Sequence, residues 1–192
     1  MFSNGTSTIK ISMEAVVVID MLEDFVGGKL ASREAVKIIE PIRKLSIAAR
    51  AKKKPVIYVG DAHLPSDPEI TIWGEHAMKG SPGASIIKEL APSPSDIVLE
   101  KRTYSGFRET GLDLVLRSLK VDTIILVGLH THLCIRHTAA DAFFLNYHTI
   151  VPVDGVCAFS PQEQESGLEY LHKFYAVELS TVSSIIENWK KE

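Results

Sequence analysis

Cysteine is scarce: Cys134 and Cys157 are the two in 192 residues, too few for a disulfide framework. Also missing at the N-terminus is the basic segment followed by an apolar core that a secretory leader requires, and no apolar run approaches the ~20 residues that span a bilayer as a helix. A reducing, cytoplasmic setting is expected. Neither sign of charge is in excess, the formal net charge being −3, so neither nucleic acid nor a membrane is an expected partner. Repeats, low-complexity tracts and linker-like stretches are lacking too, so one domain over residues 1–192 is expected, with the polar stretch 1–12 frayed. What the chain does have is 45% hydrophobic content against 23% charged residues, enough for one sizeable core. A small-molecule partner and a homo-oligomer are expected.

Short apolar runs rich in β-branched residues punctuate the chain and read as buried strands. They lie at 15–20 (AVVVID), 55–60 (PVIYVG), 96–99 (DIVL), 123–127 (TIILV) and 148–153, with a shorter one at 176–179. Helical periodicity occupies 32–50, where Pro41 is expected to bend or split the helix. Further helices are expected over 84–90, 110–119, from near Cys134 onward, 161–173 and 181–190. Residues 61–83, rich in proline and glycine, read as a long loop, which in a compact domain is usually functional. Strands alternating with helices at this spacing mean right-handed crossovers. The expected class is a three-layer α/β/α sandwich with a mostly parallel, doubly wound, Rossmann-like sheet of about six strands.

Ligands in such sheets bind beyond the carboxyl ends of the strands, near the reversal of strand order. Those ends carry Asp20, Asp61, Glu100 with Lys101, Cys134 and Asp154. A thiol near a helix N-terminus, where the macrodipole lowers its pKa, a carboxylate and an ammonium are the parts of an acyl-transfer site. Cys134 would attack a carbonyl, Asp20 would take and return its proton, and Lys101 would stabilise the thiolate or hold Asp20 ionised. Backbone N–H groups between Leu129 and Cys134 could form an oxyanion hole. Each residue also has a plainer role: Cys134 as a small core residue, Asp20 as a helix cap, Lys101 as a snorkelling surface cation. His130 and His132 flank the thiol and offer a rival base.

A second constellation is Asp61-Ala62-His63, followed by Trp73-Gly74-Glu75-His76. Asp61 and His63 alternate on an extended segment and can share a ligand, with His76 returning on the loop and Glu75 able to supplement the set. The competing reading is loop capping and turn hydrogen bonds. Phe25, Trp73 and Tyr104 lie in loops at the same edge, where they could sandwich a planar ring or simply pack. Cys157, His137, His148 and His172 show no pattern.

Asp20 in VVVIDMLEDF, Lys101 in EKRTYSGF and Cys134 in VGLHTHLCIRHTAADA, taken in that order, resemble the Asp, Lys and Cys triad of the isochorismatase-like cysteine hydrolases. The resemblance runs from about Val16 to Ser160. Within that group, Asp61, His63 and the WGEH motif ending in His76 resemble the metal site of nicotinamidases, which isochorismatases and carbamoylsarcosine amidohydrolases generally lack. The resemblance implies hydrolysis of nicotinamide to nicotinate and ammonia through a thioester on Cys134. It also implies a cis peptide at Leu129-His130 and an oxyanion hole from the N–H groups of His130 and Cys134. Leu129 is expected to contact the substrate together with Phe25, Trp73 and Tyr104. The implied cofactor is a divalent metal, zinc foremost, with iron and manganese as alternatives. Two departures bear on the substrate: Leu22 stands where the family often has glutamine, and His130 and His132 stand where small or acidic residues are common. The competing functions are hydrolysis of another small amide or a vinyl ether, and non-catalytic binding of a small molecule. A redox thiol role is disfavoured because Cys134 has no C-x-x-C partner.

Overall fold

A computed structural model describes residues 13–191 of the chain; the stretch 1–12, expected to fray, lies outside the described residues. The first strand, β1 (Glu14–Ile19), obeys the period of two: Ala15, Val17 and Ile19 enter one hydrophobic cluster, Val16 and Val18 the other. A single turn, α1 (Glu23–Val26), and a long helix, α2 (Ala35–Ala51), follow. The helix α2 runs unbroken through Pro41, so the expected split does not occur; Ile38, Ile42, Leu45 and Ala49 form a buried stripe that holds it to the sheet. Next come β2 (Val56–Asp61), α3 (Pro68–Trp73) and β3 (Ile97–Lys101).

Residues 61–83 are therefore not all loop, since Asp67 and Pro68 start a helix there. The helix expected over 84–90 is absent: Pro82–Ala84 and Lys88–Leu90 form two separate single 3-10 turns. The second half continues with α4 (Leu112–Ser118) and β4 (Thr123–Leu129). After it come α5 (Arg136–Phe144), β5 (His148–Pro152), β6 (Val156–Cys157), α6 (Pro161–Tyr175), β7 (Glu178–Ser180) and α7 (Val182–Lys191).

All pairings among these strands are parallel, in the order β3-β2-β1-β4-β5-β7, with the two-residue β6 beside the end of β4. That makes seven strands among the described residues, where about six were expected; two residues carry no periodic pattern to read. Helices α2 and α7 cover one face through Ile42, Leu45, Ile185 and Trp189, and α4, α5 and α6 cover the other through Leu112, Leu116, Ala139 and Leu171. Burying a single such side chain contributes about 1.5–3 kcal/mol. Trp189 donates its indole N–H to Glu14, which also pairs with Lys54 at 3.0 Å, so the last helix is tied to the first strand. No helix among the described residues is long and apolar enough to cross a membrane.

Chain order reverses between β1 and β4, and at that point the two strands approach closely. Gly128 has φ 113°, and a Cβ there would lie 1.9 Å from the Ile19 carbonyl oxygen, so only glycine fits. Beyond it the Leu129-His130 peptide is cis, and one turn of π-helix, Thr131–Ile135, carries Cys134 into α5. The hydroxyl of Thr131 donates to Gln164 on α6, fixing this turn from behind.

Candidate active site

Asp20 follows the last residue of β1 with φ 53°, a left-handed conformation that Asp tolerates better than most residues. Its Oδ1 accepts the Asp61 N–H at 3.0 Å. The β2–β3 register pairs Asp61 with Lys101, and the lysine Nζ lies 2.5 Å from Asp61 Oδ1, 2.8 Å from Asp20 Oδ2 and 3.6 Å from Cys134 Sγ. All four side chains are buried, Lys101 at 1% exposure. Three strand ends and the turn after β4 thus bring a thiol, two carboxylates and one ammonium together.

The charges settle by competition. Burial pushes the Asp20 carboxyl up to about 6, the Asp61 charge adds to the rise, and Lys101 opposes it. Burial works against the charge of Asp61 as well, but Lys101 and His63 outweigh it and hold that carboxyl below its ordinary range. Burial likewise opposes the Lys101 charge, yet Asp20 and Asp61 keep the amine protonated. The Cys134 thiol is pushed well up by burial, against Lys101, which corrects the expectation that a helix macrodipole lowers it. The thiol is almost fully buried, and loss of water disfavours its charged form. At neutral pH the resting set is a thiol and an ionised Asp20, each facing the Lys101 ammonium. Among the described residues no hydrogen bond links Sγ to His130 or His132.

On the other side of Asp61, the ligand atoms of Asp61, His63, Glu69 and His76 all lie within 4.8 Å of one another, and all four residues are buried. His63 Nε2 is 3.4 Å from Asp61 Oδ2 and 3.9 Å from Glu69 Oε2. His76 donates from Nδ1 to the Gly74 carbonyl at 2.7 Å, which leaves its Nε2 for a ligand. Asp61 Oδ2 and His63 Nε2 are buried without a hydrogen-bond partner, and a cation would satisfy both. The donor set, two imidazoles and two carboxylates, suits zinc and its first-row neighbours. Glu69, not Glu75, is the additional carboxylate: Glu75 is exposed, and its backbone carbonyl accepts from Lys29. Burial, then the charge of Asp61, pushes the Glu69 carboxyl up to about 7. Its one legible signal was the helix start Asp67-Pro68-Glu69, six residues after His63.

Between these two groups lies a pocket that reaches Cys134, Asp61, Glu69 and His76. Its wall includes Phe25, Trp73, Tyr104 and His130, together with Leu30, Leu133 and Phe159, which the sequence alone does not point to. Trp73 donates its indole N–H to the Tyr104 hydroxyl at 3.0 Å. His130 and Phe159 lie against each other with ring centroids 4.1 Å apart. Burial, then neighbouring His132, pushes the His130 imidazole down to about 3, so it is neutral. Leu129 is corrected: it is fully buried with Ile125 and Val127 on the α2 face and does not line the pocket. Strand alternation still governs it, up to the last residue of β4. His132 stands outside the wall, 3.8 Å from Glu163.

The chain is similar to known proteins over most of its length. The family model described as the isochorismatase domain matches residues 14–183. The crystal structure of N-carbamoylsarcosine amidase from Thermoplasma acidophilum superposes with a TM-score of 0.84 at 45% sequence identity, covering 88% of this chain and 96% of that one. Ureidoacrylate amidohydrolase of Acinetobacter baylyi is 30% identical over 206 residues, 92% of this chain and 83% of that protein. A nicotinamidase/pyrazinamidase of Bacillus subtilis is similar in structure, with a TM-score of 0.83 at 26% identity, covering 87% and 98%.

Proposed function

The chain belongs to the isochorismatase family, and from that premise we propose that it is, as one catalytic unit, a metal-assisted amidohydrolase of planar aromatic carboxamides. Its substrate is nicotinamide, and its products are nicotinate and ammonia. The observation that carries this reading is the pocket wall beside Cys134: aromatic rings surround it, and none of its lining residues is Lys or Arg. A substrate with its own carboxylate would meet Asp61, Glu69 and the neutral His130 there, whereas an uncharged ring finds faces to stack on.

In this reading Asp20 takes the thiol proton, and the Lys101 ammonium, 3.6 Å from Sγ, stabilises the thiolate. Sγ attacks the carboxamide carbon while the backbone N–H groups of His130 and Cys134 receive the developing oxyanion. Asp20 returns the proton to the leaving nitrogen, and ammonia departs from a thioester. Water, giving a proton to Asp20, adds its oxygen to the acyl carbon; the C–S bond breaks, and the proton goes back to sulfur. Asp61, His63, Glu69 and His76 would hold a zinc ion, or iron or manganese in its place, which supplies a Lewis acid to orient the ring nitrogen or a water.

A second reading is favoured by the 45% identity with N-carbamoylsarcosine amidase: hydrolysis of a linear ureido amide at the same thiol. Ammonia release from nicotinamide, N-carbamoylsarcosine and ureidoacrylate, measured with zinc restored and with a chelator, separates the two. Release from nicotinamide that is lost with the chelator supports the first. No release from nicotinamide, with release from a ureido amide, overturns it in favour of the second.

A further inference from the structure

The pair Asp67 and Arg102 has no part in the chemistry above, yet it stands directly behind the donor cluster. Asp67 occupies the N-cap position of α3, and its side chain makes no cap hydrogen bond, although an Asp in that place commonly caps the helix. Its carboxylate turns the other way. Oδ2 accepts the Leu64 N–H at 2.9 Å and lies 3.2 Å from His63 Nδ1. Oδ1 is held by Arg102, whose Nε is 3.1 Å away and whose Nη2 closes a two-pronged contact. Asp67 is 3% exposed, whereas the arginine side chain is half-exposed. Arg102 follows Lys101 at the end of β3, so the clamp is anchored on the same strand end that carries the ammonium beside Cys134.

With Nδ1 donating to Asp67, the lone pair of His63 sits on Nε2 and faces Asp61 Oδ2 at 3.4 Å and Glu69 Oε2 at 3.9 Å. A lone pair aimed at two carboxylate oxygens is repulsive unless a cation or a proton lies between them. The orphaned state of His63 Nε2 and Asp61 Oδ2 is the mark of that arrangement. A carboxylate on the far nitrogen of an imidazole fixes its tautomer and raises its basicity as a ligand. We infer that Asp67, braced by Arg102, is a positioning residue for the metal site: it holds His63 in the Nδ1–H tautomer and presents Nε2 to the ion.

This inference rests on the metal reading proposed above. The test is zinc affinity of the full chain, measured by competition with a chromophoric chelator, with thermal midpoints taken in excess chelator. Asp67→Ala is expected to weaken zinc binding about 10–100-fold. Asp67→Asn keeps the volume and an acceptor for the Leu64 N–H but loses the charge, and is expected to weaken binding while leaving the metal-free midpoint unchanged. Arg102→Ala gives a smaller loss, which Arg102→Lys partly restores. If the parent binds zinc and both Asp67 variants bind it within about twofold, the clamp only braces the loop and the inference falls. A parent that binds no zinc is a different result: it overturns the metal reading and takes this inference with it.

Discussion

Lys101 Nζ and Asp61 Oδ1 meet at 2.5 Å with both side chains buried, so one carboxylate serves the ammonium beside the thiol with one oxygen and faces the donor cluster with the other. The two halves of the site are therefore not independent. Asp61→Asn is expected to weaken zinc binding by more than tenfold and also to slow turnover with zinc in excess, since Lys101 loses a counter-charge. A variant that recovers full activity at saturating zinc would show the halves to be separable. Asp61→Ala is harsher, because removing one partner of a buried pair costs about 3–5 kcal/mol.

Asp20 is open to a clean test because of its backbone. At φ 53° asparagine is tolerated where alanine is strained, so Asp20→Asn removes the proton acceptor and keeps the fold. Turnover is expected to fall about 10²–10⁴-fold, with an unchanged circular dichroism spectrum. Cys134→Ala should remove amide hydrolysis altogether; retained release of ammonia would sink the thioester route.

The buried His130 makes the fold sensitive to acid. Its folded value of about 3 is below the ordinary 6.5, so between those two values the unfolded chain binds the extra proton. Stability from this group is fully present above pH 6.5 and is lost as pH falls toward 3. Urea midpoints at pH 7.5, 5.5 and 4 should drop more steeply for the parent than for His130→Phe. Equal slopes would mean that His130 does not stay neutral in the fold. Other carboxylates also contribute to acid unfolding, so the difference between the two proteins is the quantity to compare.

Phe159 tests the pocket wall. Loss of one ring contact is worth about 0.5–1.5 kcal/mol, so Phe159→Ala should raise KM for nicotinamide roughly two- to tenfold with a smaller change in kcat. Phe159→Arg supplies the cation that the wall lacks and should shift preference toward amides that carry a carboxylate. Unchanged relative rates on nicotinamide and ureidoacrylate would show that the wall charge does not select the substrate.

Much of this is legible in the sequence because the chemistry ends strands. Asp20, Lys101 and Cys134 each close or follow an apolar β-branched run, and a parallel sheet delivers such ends to one edge. Asp61 and His63 are legible from their alternation, and His76 from the WGEH motif further along the loop. Glu69 was not, because the proline-rich loop hid a six-residue helix whose inward face depends on tertiary packing. Phe159 follows a two-residue strand that leaves no periodic trace. The expectation that Leu129 contacts the substrate fails because its place in the β4 alternation sends it to the core with Ile125 and Val127. The direction of the thiol shift depends on burial, which sequence position alone does not report.

The tie between Trp189 and Glu14 joins positions 175 residues apart, and it dictates when this protein can be finished. Among the described strands β1 leaves the ribosome before the others, yet it is a central one, and its neighbour β4 emerges only after β2 and β3. Asp20 therefore waits, without its thiol, until the turn after β4 has been made, and Glu14 waits longer still for α7. Such non-local closure slows folding relative to chains built from neighbouring contacts. The nascent chain must keep an unpaired, strongly apolar β1 edge from meeting other chains until β4 arrives to pair with it.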